Sequence, residues 1–199
     1  MLEKGCKRPR NEDDNSCFKL DEKYNLSVKD NRVIFHGSID QKSCFDIIEA
    51  LDKASDNVKK NDSYGSGKIM FYINSMGGCI YSAFSVVEHM RRNKYPITTV
   101  CEGCVASAAV LISLAGSERI IGKHSYMLIH EIRSSAWGKF SQLKDDMKNN
   151  KHLMRDMKKY MREKSKDKLP KEELDELLQH DILWDYKKCL KYGLVDSVE

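Results

Sequence analysis

The sequence predicts an α/β protein whose sheet is largely parallel. Along the 199 residues, short apolar segments typical of buried strands alternate with segments whose apolar residues recur at helical spacing. Such alternation indicates right-handed crossover connections and one domain with a hydrophobic core. Apolar residues make up 41% of the chain and charged residues 32%, which is ordinary for a globular protein and argues against a disordered chain.

The first predicted elements lie in the N-terminal third. Residues 1–23 are polar and lack periodicity, so we predict a mobile tail there and a single domain over residues 24–199. Residues 32–37 are predicted as a strand and residues 41–59 as a helix. The apolar positions of that helix are Phe45, Ile47, Ile48 and Leu51. The polar segment 61–67 is predicted as a loop.

Two further strand–helix units are predicted in the middle of the chain. Residues 68–73 form a near-continuous apolar strand, and a helix follows the turn at residues 74–78. Pro96 lies just beyond the end of this helix, as expected for a helix stop. Residues 97–101 are predicted as the next strand and residues 107–115 as the next helix. The apolar stripe of the first of these helices consists of Ile80, Ala83, Phe84, Val87 and Met90.

The last third of the chain is predicted to be mostly helical, between a strand at residues 126–129 and a short strand at residues 194–196. Within it, residues 139–171 contain twelve Lys/Arg against five Asp/Glu. A helix with one apolar and one basic face often packs against a partner helix, and binding to nucleic acid or a membrane surface is the alternative. The apolar stripe consists of Phe140, Leu143, Met147, Met154, Met157 and Met161.

Charge and cysteine usage narrow the functional classes. The formal charge of +4 is too small to argue for nucleic-acid binding by itself. The seven cysteines are odd in number, and Cys101 and Cys104 form a single C-x-x-C without the second pair that a zinc site needs. Residues 1–5 contain charged side chains, whereas a signal peptide needs an apolar core. The uncharged run at residues 104–116 is too short to span a bilayer. We therefore expect a cytoplasmic protein with no metal and no cofactor, which binds neither nucleic acid nor a membrane.

A glycine pair marks the first candidate site. Gly77 and Gly78 follow a predicted buried strand and open a helix, where glycine leaves the backbone N–H groups unshielded. Together with the partial positive charge of a helix N-terminus, such a turn can hold an anion. A tight turn without function is the other interpretation.

Three side chains with catalytic chemistry lie farther along. Ser107 stands where a predicted strand gives way to a helix that begins in small residues, so it is either an exposed nucleophile or a helix N-cap. The pattern is not G-x-S-x-G, because Gly103 precedes the serine by four residues. His130 ends a predicted strand, the usual place of active-site groups in α/β proteins, although a buried structural histidine fits too. Asp181, taken alone, is a cap or turn residue.

The order of these features resembles the ClpP family, the proteolytic subunits of Clp proteases. The resemblance covers about residues 31–198. Residues 72–78 (YINSMGG) resemble the family's YINSPGG, and residues 103–107 (GCVAS) resemble its G-x-A-A-S. Residues 127–130 (MLIH) resemble its M-I-H, and residues 192–196 (YGLVD) match its YGLVD. Four motifs in the right order make this resemblance specific.

The resemblance implies both a fold and a set of site residues. The fold is the ClpP/crotonase-like spiral of ββα units, with a protruding handle helix at about residues 139–166. Ser107 would be the nucleophile, His130 the base, and Asp181, fifteen residues before the aspartate of YGLVD, the acid. The backbone N–H groups of Gly78 and Ala108 would form the oxyanion hole.

The function implied is that of a serine endopeptidase which hydrolyses peptide bonds of unfolded proteins or peptides through an acyl-enzyme. The family works as a homo-oligomer of two stacked heptameric rings, a tetradecamer that encloses a chamber. A separate AAA+ unfoldase of the ClpX or ClpA type feeds the chamber, and ATP acts only through that partner.

Several positions depart from the family pattern. Met76 replaces a proline, which predicts a more flexible turn. Glu131 and Ile132 replace glutamine and proline in the segment 131–138, which would pair with the substrate backbone as an added strand. His180 replaces an arginine of an inter-ring network, so it either makes ring stacking pH-sensitive or is a solvated surface residue.

The ATPase surface is a further point of difference. Residues 1–23 do not resemble the axial loops of the family. Met70 and Tyr72 would either line apolar pockets for the ATPase or belong to the strand core.

Three rival interpretations share some of these features. A catalytically silent ring subunit would lack one or more triad residues, and all three are present here. A crotonase-type acyl-CoA enzyme shares the fold and the paired amides but does not need this serine, histidine and aspartate together. A relative of signal peptide peptidase would pair its serine with a lysine, and no matching lysine motif is present.

Overall fold

The computed structural model describes residues 24–61 and 67–199. The predicted tail at residues 1–23 lies outside the described residues, as do residues 62–66 of the predicted loop. The described chain forms one eight-stranded sheet. Its strands are β1 (Asn25–Lys29), β2 (Arg32–His36), β3 (Ile69–Ser75), β4 (Ile97–Ala106), β5 (Glu118–Ile121), β6 (Tyr126–Leu128), β7 (Leu183–Trp184) and β8 (Ser197–Val198).

Helices connect most of these strands. They are α1 (Gln41–Asn61), α2 (Ile80–Arg92), α3 (Ala108–Leu114), α4 (Phe140–Lys164), α5 (Lys171–Leu177) and α6 (Tyr186–Lys191). The sheet order is β1-β2-β3-β4-β5-β8, with β6 beside β4 and β7 beside β6. The pairs from β2 to β8 along this order are all parallel, as is β4–β6, whereas β1–β2 and β6–β7 are antiparallel. The predicted fold class, α/β with a largely parallel sheet, is confirmed.

Strand β4 organises the sheet because it has ten residues and three neighbours. Its first half pairs with β5 and its last three residues pair with β6, while β3 lies along its other side. The structure extends this strand beyond the predicted residues 97–101, up to Ala106. The carboxyl ends of β3, β4 and β6 therefore meet at one edge of the sheet.

The core lies between the sheet and helices α1 to α3. In α1 the buried positions include Cys44, Ile47, Leu51 and Val58, which recur at helical spacing. All seven residues of α3 are buried, as expected for a helix that is apolar on every side. Phe45, predicted on the apolar stripe of α1, is 60% exposed, so that prediction is wrong.

Helix α4 corresponds to the predicted handle. Met157 and Met161, near its C-terminal end, are buried against the core. Phe140 and Met147, nearer its N-terminal end, are exposed although they belong to the same apolar stripe. The helix therefore protrudes, and the N-terminal part of its apolar stripe is not packed against the core in the described part of the chain.

The sheet shows on which face the side chains of Met70 and Tyr72 lie. Met70 and Tyr72 are half-buried and alternate with the buried Ile69, Phe71 and Ile73, so they lie on the face of β3 opposite the core. Their interpretation as strand core is wrong. The Arg32 guanidinium lies over the Tyr72 ring, 5.4 Å from its centroid.

The C-terminal strand differs from its prediction. It comprises Ser197–Val198, whereas Leu194 and Val195 of the predicted strand are buried outside any strand. Strands β1, β5 and β7 were not predicted. As for membranes, none of the helices within residues 24–61 and 67–199 has the length and apolar character needed to cross one.

Candidate active site

The candidate site lies where β3, β4 and β6 end. The Gly77-Gly78 turn follows β3, Ser107 follows β4, and His130 comes two residues after β6. A cavity of about 430 Å³ brings the glycine turn, the serine and the histidine together, with Gly78, Ser107, Ala108 and His130 among its lining residues. The sequence motifs thus converge at one edge of the sheet, as parallel strands require.

Ser107 occupies a sharp turn between β4 and α3. Its φ is 54° and its ψ is −125°, a conformation that non-glycine residues rarely adopt. The backbone holds it there, because its N–H donates to the Leu128 carbonyl at 2.8 Å and its own carbonyl accepts from the Val110 N–H at 3.0 Å. Although the residue stands at the N-cap position of α3, its side chain makes no capping hydrogen bond. The N-cap interpretation therefore does not explain this serine.

The glycine pair is required by close backbone packing. A Cβ on Gly77, whose φ is 93°, would lie 2.7 Å from both the Ala106 carbonyl oxygen and the Ser107 Cβ. A Cβ on Gly78, whose φ is 145°, would lie 2.1 Å from the Ile39 carbonyl oxygen. Gly77 therefore fits directly against the serine and Gly78 against Ile39, so a side chain at either position would force these segments apart.

Two backbone amides are available at this junction. Ile39 pairs with the N–H of Cys79 and the carbonyl of Gly77, which leaves the intervening Gly78 N–H outside the bridge. The Ala108 N–H belongs to the first turn of α3, where N–H groups have no intrahelical partner. The turn itself is closed by the buried Ser75 hydroxyl, which accepts from the Gly77 N–H at 3.0 Å. The oxyanion hole of Gly78 and Ala108 stays a prediction.

His130 is nearly buried, with 12% of its side chain exposed. Burial lowers the pKa of its imidazole, and the Arg133 charge lowers it further, against the opposite effects of Asp181 and Glu131. The ring is therefore neutral at neutral pH and able to accept a proton. Among the hydrogen bonds of residues 24–61 and 67–199, none joins the imidazole to the Ser107 hydroxyl.

Asp181 lies between α5 and β7, and its side chain is 55% exposed. Its Oδ1 is 3.9 Å from the His130 Nδ1, which is within ion-pair range but too long for a hydrogen bond. The next helix, α6, is capped by Asp185, which accepts from the Lys188 N–H. The structure thus places Asp181 beside His130 and does not use it as the cap of α6.

Sequence reasoning missed Arg133. Its Nη2 donates to the Asp181 Oδ2 at 2.6 Å, closer than the histidine approaches the same carboxylate. The available signal was a cation three residues after His130, within a segment already assigned to substrate binding.

The walls of the cavity are largely apolar. The C-terminal half of α4 forms one wall, so the handle helix contributes directly to the site. Segment 131–138 forms part of the rim, and two of its N–H groups are used, one by the Leu178 carbonyl and one by the Met154 sulfur. Its pairing with a substrate strand stays a prediction. The apolar lining includes Met76, Ile80, Val110, Leu111, Ile129, Ile132, Leu153, Met157 and Met161.

Of the two cysteines of the C-x-x-C motif, Cys101 is buried and Cys104 is half-buried. Burial raises the pKa of the Cys101 thiol to about 12, and its sulfur lies 3.0 Å from the Ser113 hydroxyl. Burial also raises the pKa of Cys104. No cluster of three or more His, Cys, Asp or Glu side chains suited to a metal ion occurs in the part of the chain that the structure describes.

Comparison with known proteins identifies the family of the chain. The model of the Clp protease family matches residues 15–199. The ATP-dependent Clp protease proteolytic subunit of Deinococcus radiodurans is 31% identical over 133 residues, which are 66% of this chain and 64% of that protein. The alignment thus spans slightly less than two thirds of the relative. Because the family model covers nearly the whole chain, this protein belongs to the Clp protease family.

Proposed function

We propose that this chain is a serine endopeptidase with Ser107 as its nucleophile. The observation that carries the proposal is the strained turn at Ser107. The hydroxyl of this serine makes no cap hydrogen bond, and the residue lines one cavity together with His130. Strain of this kind is retained where it serves the chemistry of a site. The substrates would be unfolded proteins or peptides, since residues 131–138 are predicted to pair with an extended substrate segment.

The mechanism follows from the roles that these groups can take. His130, neutral at neutral pH, removes the proton of Ser107 as the hydroxyl oxygen attacks the scissile carbonyl carbon. Asp181 stabilises the imidazolium that results. The Gly78 and Ala108 amides would receive the developing oxyanion, and each donor in such a site is worth about 3–4 kcal/mol. The imidazolium then protonates the leaving amine, and water hydrolyses the acyl-enzyme.

A fluorophosphonate probe tests the nucleophile directly. We expect the probe to form a covalent bond to Ser107, because only a serine activated by a neighbouring base reacts at a useful rate. Mass spectrometry of the digested protein would locate the adduct, and the protein denatured before labelling serves as the control. An unlabelled Ser107 in the folded protein would instead favour a catalytically silent ring subunit.

The assembly part of the proposal rests on the relative and on the surface of α4. The relative is named as the proteolytic subunit of an ATP-dependent protease, and we extend this to a chamber-forming tetradecamer served by a AAA+ unfoldase. Trp137, Phe140 and Met147 are 98%, 73% and 59% exposed. Exposed apolar side chains of this size indicate a protein contact, here with other copies of the chain.

Native mass measurement tests the assembly. We expect a species of fourteen subunits at micromolar protein, and we expect Phe140→Glu with Met147→Glu to shift the mass toward smaller species. A matched pair of changes on the exposed face of another helix, Glu88→Lys with Arg91→Glu, should leave the mass unchanged. A monomer for the unaltered protein would exclude the chamber.

A further inference from the structure

The carboxylate of Asp181 is shared between two partners. Its Oδ2 accepts a hydrogen bond from the Arg133 Nη2 at 2.6 Å, and its Oδ1 faces the His130 Nδ1 at 3.9 Å. Each oxygen therefore has its own partner, and the carboxylate lies between a permanent cation and a titratable ring. Arg133 lines the cavity, as do Ser107 and His130.

Asp181 has little else to hold it in place. Its side chain is 55% exposed and lies outside any helix or strand, in the short connection between α5 and β7. Within residues 24–61 and 67–199, Arg133 is the side chain that donates a hydrogen bond to it. A solvated carboxylate on such a connection populates several rotamers, and most of them would turn both oxygens away from the imidazole.

We propose that Arg133 is a positioning residue, which holds Asp181 through Oδ2 so that Oδ1 stays directed at His130. The inference rests on the proposed peptidase function and deepens it. A guanidinium suits this role because its charge is permanent and its N–H groups have a fixed geometry. A small rotation of the carboxylate about its contact with Arg133 would bring Oδ1 within hydrogen-bond distance of the imidazole, and such contacts often tighten only once substrate is bound.

The ion pair between Arg133 and Asp181 is too exposed to have mainly a structural role. Arg133 is 73% exposed, and exposed ion pairs contribute little to folding stability. Losing the guanidinium should therefore leave the fold intact. Activity should suffer, because a displacement of about 1 Å in a catalytic group can lower the rate by about 100-fold.

The charge of Arg133 also acts directly on the pKa of His130. The charged groups that face His130 are Arg133, Asp181 and Glu131, and burial acts on the ring with them. Burial and Arg133 lower the pKa of the imidazole, whereas the two carboxylates raise it. Removing the Arg133 charge alone would raise this pKa, whereas an Asp181 that moves away from the ring would no longer raise it. The two effects oppose each other, so the acid limb of the rate profile should move less than the loss of the charge alone would predict.

The test compares three variants in hydrolysis of a short fluorogenic peptide that carries leucine before the scissile bond. For Arg133→Gln we expect kcat to fall by about 10–100-fold with little change in KM. Arg133→Lys keeps the charge but not the fixed geometry of the guanidinium, so it should recover part of kcat. Arg91→Gln, which removes another exposed arginine paired with a carboxylate, should behave as wild type. A wild-type or higher kcat for Arg133→Gln would overturn the proposal.

A second measurement does not depend on peptide cleavage. Diethyl pyrocarbonate modifies neutral imidazole, so the pH dependence of His130 modification, mapped by mass spectrometry, reports its pKa. Asp181→Asn should lower that pKa when Arg133 is present and have a smaller effect in the Arg133→Gln background. An undiminished effect would show that Asp181 keeps its place without Arg133 and would overturn the inference. If the wild-type protein cleaved no peptide, the proposed function would fail, and this measurement would still decide the role of Arg133.

Discussion

Replacing Ser107 by alanine is expected to lower kcat for peptide hydrolysis by about 10⁴–10⁶-fold, the range seen when a serine nucleophile is removed from a triad. The expected effect is this large because neither His130 nor the oxyanion amides can supply a nucleophile. Water could still attack with help from the amides and from substrate binding, which accounts for the residual rate.

The same change should leave stability unaffected. Alanine keeps the Cβ at the position where φ is 54°, so the strain of the turn is unchanged. The hydroxyl makes no cap hydrogen bond, so its removal leaves no capped N–H group unpaired. We expect the melting temperature of Ser107→Ala to match that of the parent and of Ser85→Ala, which alters an exposed serine on α2. More than a few per cent of parental activity, with no contaminating peptidase, would disprove the assignment of the nucleophile.

The parts of this site that local sequence predicts are those built from one strand and the residues after it. Gly78, Ser107 and His130 each follow an apolar segment, and apolar runs identify buried strands without knowledge of their partners. Since parallel strands end at a common edge, the convergence of these three residues follows from the fold class. Their chemistry was still ambiguous, because a serine at a helix start is usually a cap.

Contacts between distant segments were beyond such reasoning. Arg133 and Asp181 are 48 residues apart, and neither carries a local pattern that indicates the other. Phe45 has helical spacing but lies on the exposed side of α1, because the direction of a stripe depends on what packs against it. Strand β5 begins with Glu118 and Arg119, and two charged residues do not indicate a buried strand.

Arg119 fits in the buried strand β5 because its guanidinium binds a carboxylate and two backbone carbonyls. Its side chain is 5% exposed and binds Asp196 through two hydrogen bonds, Nε to Oδ2 at 2.9 Å and Nη2 to Oδ1 at 2.7 Å. Its Nη1 donates to the Lys164 and Gly193 carbonyls. One guanidinium thus joins β5 to the end of α4 and to the segment before β8.

We expect Asp196→Ala to destabilise the fold by about 3 kcal/mol, because it leaves the Arg119 charge buried without a counter-ion. This value is at the lower end for buried pairs, since 35% of the Asp196 side chain is exposed and water screens part of the interaction. For a chain of this size the melting temperature should fall by roughly 6–12 °C at fixed protein concentration. Glu88→Ala, which breaks an exposed pair with Arg91, should change it by only about 2 °C.

The contribution of the Arg119–Asp196 pair to folding stability depends on pH. The Arg119 hydrogen bond holds the pKa of Asp196 below its ordinary value, so the pair stabilises the fold above that ordinary value and loses its effect as the pH falls through the lowered one. The difference in stability between parent and Asp196→Ala should therefore be full at pH 7 and shrink below about pH 4. Arg119→Met combined with Asp196→Leu should recover part of the loss, because it removes both charges together. Equal effects of Asp196→Ala and Glu88→Ala would mean that the C-terminal segment is held by the burial of Leu194 and Val195 and not by this ion pair.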